Sequence, residues 1–339
     1  RAALRINQQE GFDCPGCAWP DPAHRHVAEF CENGIKAVAE EAMARTAGPD
    51  FFAEHAVADL ATRSDYWLGQ QGRLTHPMLL DADDTHYRPV SWERALDVVA
   101  EELHALASPD EAVFYTSGRT SNEAAFVYQL FARVVGTNNL PDCSNMCHES
   151  SGVALTESIG IGKGSVLLED FAACDLVLVV GQNPGTNHPR MLATLEAAKR
   201  RGARVVSINP LPEAGLIEFR NPQRPGTYVG RGTGLADRHV RVRLGGDHAL
   251  FQAVGRLLLD AEDAAPGTVV DRAFVDLHTS GFDAYAQHLR ALDWDEVLAA
   301  TGLTRDEIEG LAHEFLTARS VIACATHAVL SGPAEQRLQ

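Results

Sequence analysis

Residues Thr137 to Ser151 read Thr-Asn-Asn-Leu-Pro-Asp-Cys-Ser-Asn-Met-Cys-His-Glu-Ser-Ser. With a cysteine pair, a histidine and no alternation of apolar residues, the stretch is expected to be a loop. Adjacent Cys147 and His148 set a soft anionic ligand beside a group that titrates near neutrality. A thiolate suits a heavy, soft metal, and an imidazole suits taking a proton from whatever binds there. The plainer alternative is a pair of buried thiols with a surface histidine, since free cysteine is among the most often buried residue types.

Sulfur is also concentrated near the start of the chain. Cys14-Pro15-Gly16-Cys17 is a tight C-x-x-C in which proline and glycine fold the backbone so that both sulfurs can face one centre. Thirteen residues separate Cys17 from Cys31, which precedes a helical pattern over Ile35 to Arg45. Three cysteines are one short of a four-cysteine zinc site or a cubane iron-sulfur cluster. Asp21, His24 and His26 are candidates for the missing ligand, and the sequence does not choose among them. A thioredoxin-like dithiol competes with metal ligation, but it belongs at a strand-to-helix junction and no strand precedes Cys14. Simple turn cysteines are the remaining alternative.

Composition narrows the chemistry. The chain has 339 residues, long for one domain and enough for two or three, each able to bury a core. With 45% hydrophobic and 22% charged residues it is a folded, globular chain. Its 29 Lys and Arg against 46 Asp and Glu leave a net charge of −17, which disfavours nucleic acid and anionic membrane as partners and points to a small molecule or another protein. The longest apolar run, Leu176 to Val180, is far short of a membrane span, so no membrane insertion is expected. Seven scattered cysteines argue against a disulfide framework and for metal or catalytic use in a reducing, cytoplasmic compartment.

The elements that must position these residues follow an α/β pattern. A helix runs from its Ser91 cap through Leu106, with apolar residues at 95, 96, 98, 99, 103 and 106. Ala112 to Thr116 reads as a strand and Ala124 to Val135 as a helix, joined by a polar turn that includes Gly118, Ser121 and Asn122. Ligands of such units gather at the strand's carboxyl end, which makes these three residues candidate cofactor contacts. Gly160 to Ser165 is read as a turn, because Glu157 stands where the first glycine of a phosphate loop should be.

The next unit is stronger. Asp175 to Val180 is continuously apolar after its first residue, as expected of a parallel strand covered on both faces. It ends in Gly181-Gln182-Asn183-Pro184-Gly185-Thr186-Asn187-His188-Pro189, followed by a helix from about Arg190 to Arg201. Glycine admits a phosphate to the backbone and the free N–H groups of a helix start favour an anion. The pattern is not G-x-G-x-x-G, so a generic NAD site is not supported. The strand from Gly202 to Pro210 ends in Asn209, where a nucleotide's sugar or base would be read, and an ordinary βαβ unit with polar loops is the alternative. A long loop over Asn221 to Arg238, a strand over His239 to Leu244 and a helix over Asp247 to Asp260 follow. Arg272 to Arg319 is mostly helical with breaks at Gly281 and Gly302, Thr304 caps its last helix, and Val321 to Ala325 reads as a final strand.

C-P-G-C with a later C-x-x-G, the T-S-G-R-T-S-N-E turn, the T-N-N…C-x-x-x-C-H-E-S-S loop and V-V-G-Q-N-P-x-x-N-H-P together resemble the molybdopterin-dependent oxidoreductases, in the branch of formate dehydrogenase alpha subunits and their YdeP-like relatives. The resemblance covers nearly all of residues 11 to 320. It implies parallel-sheet Rossmann-like domains with a small N-terminal iron-sulfur subdomain: residues 1–76 for the cluster, 77–141 for part of an α/β domain, 142–325 for the nucleotide-binding domain and an irregular tail over 326–339.

By that resemblance the cofactors are molybdenum on two molybdopterin guanine dinucleotides and a [4Fe-4S] cluster. Cys147 takes the position of the residue that ligates molybdenum, and His148 that of the proton acceptor. Cys14, Cys17 and Cys31 match three of the four cluster ligands, and Gly181, Asn183, Asn187, His188 and Asn209 fall where a guanine-dinucleotide arm is held. The family's third cluster cysteine falls at Asp21, and Asn33 stands where a lysine is common, with Lys36 nearby as a weak relay candidate. The family continues well past this length, so a fragment or truncated reading frame is expected, and Arg337 is not matched to the active-site arginine of the missing half. The implied activity is two-electron oxidation of a small molecule at molybdenum, with electrons leaving through the cluster to a partner protein. The competing class is a non-catalytic nucleotide- or metal-binding remnant.

Overall fold

Leu176 to Val180 carries no polar side chain, and a strand of that kind requires apolar cover on both faces and hydrogen-bonded neighbours on both edges. The computed structural model, which describes residues 2–17, 19–116, 120–141, 149–224, 226 and 230–325, supplies both. The described residues of Arg1–Glu32 and Cys147–Gln339 form one compact unit, and those of Asn33–Met146 form another.

In the first unit, β1 (Leu176–Val180), β2 (Arg204–Ile208), β3 (Arg238–Val240) and β4 (Val321–Ala325) make a parallel sheet in the order β3-β2-β1-β4. Val177 pairs with Val205 on one side and with Ile322 on the other. All five β1 residues are buried, and alternate residues serve opposite faces. Leu176, Leu178 and Val180 pack with Leu250, Val254, Ile308 and Leu311, which come from α3 (Asp247–Ala264) and α6 (Arg305–Thr317) once α1 (Glu149–Ile159) and α2 (Pro189–Arg200) are counted first. Val177 and Val179 instead meet Met191, Leu192 and Leu195 of α2. Helices on both sides of a parallel sheet are the expected α/β layering.

Local chemistry fixes the ends of these helices. Gly281 and Gly302 adopt left-handed φ values of 79° and 68° beside α4 (Phe282–Arg290) and after α5 (Trp294–Thr301), the breaks read from the sequence. Thr304 and Glu307 form a reciprocal capping box on α6. On α3, Glu262 accepts the backbone N–H groups of Gly267, Val269 and Val270 at 2.6, 2.9 and 3.0 Å, which holds its carboxyl down at about 2. The ladder of β3 stops at Val240 rather than Leu244, and α3 runs to Ala264 rather than Asp260.

The second unit holds helices Glu32–Glu41, Trp92–Ala105 and Asn122–Val135, with two-residue strand pairings at 46–47 with 73–74 and at 78–79 with 88–89. Ser91 caps its helix as expected, its hydroxyl accepting from the Arg94 N–H at 3.2 Å. The first helix begins ahead of Ile35 and ends at Glu41 rather than Arg45. One further expectation needs correction. Ala112 to Thr116 joins no ladder among the described residues; the Phe114 N–H donates to the Asn139 carbonyl at 2.9 Å, and the Ala112 N–H donates to the Pro109 carbonyl at 3.1 Å. Alternating apolar residues make a strand only where a neighbouring backbone offers matching groups, and here Phe114 instead packs edge-on to Tyr128 and Phe131. On helix Trp92–Ala105, Leu96 and Val99 are 64% and 51% exposed.

Among the described residues no helix is long and apolar enough to cross a membrane. The tail over 326–339 lies outside the described residues. Leu178 is 1% exposed on the α3 and α6 face. Leu178→Ala is therefore expected to lower unfolding free energy by about 2–5 kcal/mol in urea titration; a loss well below that range would show that this face is loosely packed.

Candidate functional site

The connection from β1 to β4 changes direction across the sheet. From β1 the chain passes through α2 on one face to β2, and from β3 it returns through α3 to α6 on the other face to β4. In an open parallel sheet such a switch point leaves a crevice at the carboxyl ends of the strands. The loop after β1, residues 181 to 188, starts there.

Gly181 has a φ of 64°, a left-handed conformation that glycine adopts without cost, and its N–H bonds the Ile208 carbonyl at 2.9 Å. The turn thus bends back over the end of β2. Asn183 caps the short helical turn Pro184–Asn187, its side-chain oxygen accepting from the Thr186 N–H at 3.3 Å. Its amide nitrogen donates to Glu213 at 2.7 Å. Asn209, at the end of β2, donates at 3.4 Å both to the other oxygen of Glu213 and to the Gln182 carbonyl. The structure therefore brings Gly181, Asn183 and Asn209 together, with Glu213 joining the two amides. The two loops also touch backbone to backbone: a Cβ on Gly215 would lie 3.1 Å from the Cα of Gly185 and 3.3 Å from Leu192.

Glu213 and Gly215 were not among the sequence candidates. The available signal was an acidic residue a few positions after the second strand, where α/β nucleotide sites often place a sugar-binding carboxylate. The electrostatics shift accordingly. A carboxylate at this end of the loop favours hydroxyl and ring N–H donors, while a phosphate is better placed nearer the backbone N–H groups. The side-chain oxygen of Gln182 is buried and has no hydrogen-bond partner, an acceptor that a bound donor would satisfy. Asn187 is exposed, and His188 is half-buried with its ring 6.3 Å from that of Trp19.

Cys147, His148 and Gly118 lie outside the described residues. Helix α1 begins at Glu149, directly after the cysteine loop, and buries the Ser151 hydroxyl without a partner. In the second unit, the Ser121 hydroxyl accepts from the Ala124 N–H at 3.2 Å as a helix cap, and Asn122 is the exposed first residue of that helix.

Of the expected cluster ligands, Cys14, Cys17 and Cys31 are all partly exposed. Among the described residues no three Cys, His, Asp or Glu side chains are grouped so as to hold a metal ion. Cys14 Sγ accepts from the Gly16 N–H at 3.3 Å. The Asp21 carboxylate is divided between guanidinium groups, one oxygen 2.7 Å from Arg190 and the other 3.2 Å from Arg25. This arrangement does not fit a cubane with four protein ligands. The carboxyl-end loops, with an unsatisfied buried acceptor and a glycine-lined approach, do fit a nucleotide.

The family described as molybdopterin oxidoreductase matches residues 73–257. An uncharacterized oxidoreductase of Mycobacterium tuberculosis is 58% identical over 324 residues, covering 95% of this chain and 42% of that protein. The protein YdeP of Escherichia coli is 48% identical over 328 residues, covering 95% of this chain and 43% of its own length. Formate dehydrogenase H of Escherichia coli is 32% identical over 253 residues, covering 73% and 32%. The chain thus spans well under half the length of these relatives. Acetylene hydratase from Pelobacter acetylenicus shares the fold, with a TM-score of 0.53 at 22% identity, covering 75% of this chain and 32% of that one.

The other described cysteines face inward. Burial pushes the Cys174 thiol up, and burial with the neighbouring Cys174 pushes Cys324 up to about 12. At pH 8 a thiol with a pKa near 12 is ionised to about one part in ten thousand. Iodoacetamide is therefore expected to modify Cys14 and Cys17 of the native protein well before Cys174 and Cys324, read by peptide mass spectrometry; early modification of Cys324 would contradict the packing of β4.

Proposed function

We propose, because the chain belongs to the molybdopterin oxidoreductase family, that it is the nucleotide-gripping and metal-ligating part of a formate dehydrogenase-like enzyme carrying molybdenum on molybdopterin guanine dinucleotide in its paired form. The observation that carries this reading is the cluster at the sheet's carboxyl end, where Glu213 joins Asn183 and Asn209 beside the unsatisfied oxygen of Gln182. When bound, the molybdenum-pterin group supplies two-electron redox chemistry.

The polypeptide's share is binding, orientation and proton handling. Gly181 keeps a side chain away from the dinucleotide's path, and the turn starting at Pro184 offers its Gly185 N–H to a phosphate, since those of Thr186 and Asn187 are taken by Asn183. Glu213 accepts from the ring N–H edge of guanine or from a ribose hydroxyl. The amides of Asn183 and Asn209 hold that carboxylate in place, and Gln182 accepts a further donor. Asn187 and His188 line the far end of the loop, and Gly118, Ser121 and Asn122 supply a separate cofactor contact. Cys147 ligates the metal as a thiolate, and His148 removes the substrate's proton. The substrate is a small molecule, and the electrons leave to a partner protein in the cytoplasm. Fold alone does not choose the reaction, since a likeness at 22% identity to a hydratase carries architecture only.

The test uses protein made from the complete gene. Stoichiometric molybdenum is expected, with Cys147→Ala losing metal and activity. His148→Ala is expected to keep its metal while turnover with an artificial electron acceptor falls about 10²- to 10⁴-fold. If Cys147→Ala retains both molybdenum and activity, the assignment of that thiol is wrong. Zinc alone, or no metal at all, would support the non-catalytic remnant instead.

A further inference from the structure

The segment before Glu32 packs against α2 through charge. Arg190, in the first turn of α2 and only 11% exposed in its side chain, places one guanidinium nitrogen 2.7 Å from Asp21 and another 3.1 Å from Glu29. It also donates to the Trp19 carbonyl at 3.2 Å, and the Trp19 indole donates to Thr194 one turn later, at 3.2 Å. Glu29 is 3% exposed, and its second oxygen accepts the His26 N–H at 2.6 Å. Asn7 closes the segment, donating to the Glu29 carbonyl at 2.8 Å and accepting from the Cys14 N–H at 2.9 Å.

A carboxylate bound on both oxygens by guanidinium groups is not free to ligate iron. Withdrawing Asp21 would leave Arg190, whose side chain is 11% exposed, with one of its two carboxylate partners, and a nearly dry place makes that loss costly. Thiolates gathered into a cluster would add negative charge close to two carboxylates already there. The fork of Arg190 matches its two acceptors, a geometry lysine cannot reproduce. Arg190 directly follows the loop over 181 to 188, so its position sets where that loop enters α2.

We propose that residues 7 to 32 form a cluster-free ion-pair brace, in which Asp21 and Glu29 grip Arg190 and make it a positioning residue for the loop over 181 to 188. What the loop holds rests on the function proposed above; the brace and the lack of a cluster do not.

The experiment measures iron, acid-labile sulfide and molybdenum in the same samples of complete protein, purified without oxygen and then treated with iron and sulfide. The brace predicts no stoichiometric iron or sulfide in either state. Asp21→Asn and Arg190→Ala should each lower the thermal midpoint, and the double variant should lose little more than the worse single one. Arg190→Ala, with its far-ultraviolet dichroism retained, should hold several-fold less molybdenum per chain, and Arg190→Lys should recover only part of it. Cluster-level iron and sulfide that Cys14→Ser abolishes would overturn the proposal, as would additive losses in the double variant. If Arg190→Ala fails to fold, Arg190→Lys carries the same comparison with Asp21→Asn. Should wild-type protein contain no molybdenum, the function proposed above fails, while the iron and double-variant results still decide the brace.

Discussion

The structure of the first unit depends on one constraint, that β1 has no face it can leave in water. Leu176, Leu178 and Val180 need one helical layer, and Val177 and Val179 need another. Parallel neighbours cannot be reached by tight turns, so each connection must cross over a face, and the crossovers supply those layers. The same requirement that buries the strand leaves its carboxyl end open, because the chain leaves β1 toward one face and arrives at β4 from the other. Binding groups gather there as a consequence of burial elsewhere.

At that open edge the chemistry is mixed. Amides and glycine backbone would accommodate an anion, yet Glu213 brings a negative charge among them. A mononucleotide with phosphates at one end and donors at the other satisfies both, whereas a simple phosphate would meet the carboxylate unfavourably. The second unit is built differently. Its helices keep Leu96, Val99, Phe126 and Val134 exposed, the last at 84%, so little of its apolar surface is covered within that unit.

What the sequence revealed follows from how local each cause is. The continuous apolar run of β1 and the Ser91 and Thr304 caps are all set by residues within a few positions of one another. Glu213 was hidden because its partner Asn183 is 30 residues away, and only the pairing of Val180 with Ile208 brings the two loops side by side. Arg190 was read merely as a helix start, where an arginine ordinarily faces water. Ala112 to Thr116 has the alternation of a strand, but alternation says nothing about whether a neighbour exists. The cysteine spacing at 14, 17 and 31 suggested a ligand set, and of the two guanidinium groups that occupy Asp21 only that of Arg25 is near in sequence, Arg190 lying 169 positions on.

The contacts of the N-terminal segment also bear on the order in which the molecule is assembled. Trp19 meets Thr194 across 175 positions, and Arg190 meets Glu29 across 161. As the polypeptide emerges from the ribosome, residues 7 to 32 have no native seat until α2 has been synthesised, and closing so long a loop is slow. Through that interval the thiols of Cys14 and Cys17 meet the cell's oxidants and metal ions before the tertiary structure forms around them. The segment over residues 7 to 32 therefore takes its place only after α2 exists.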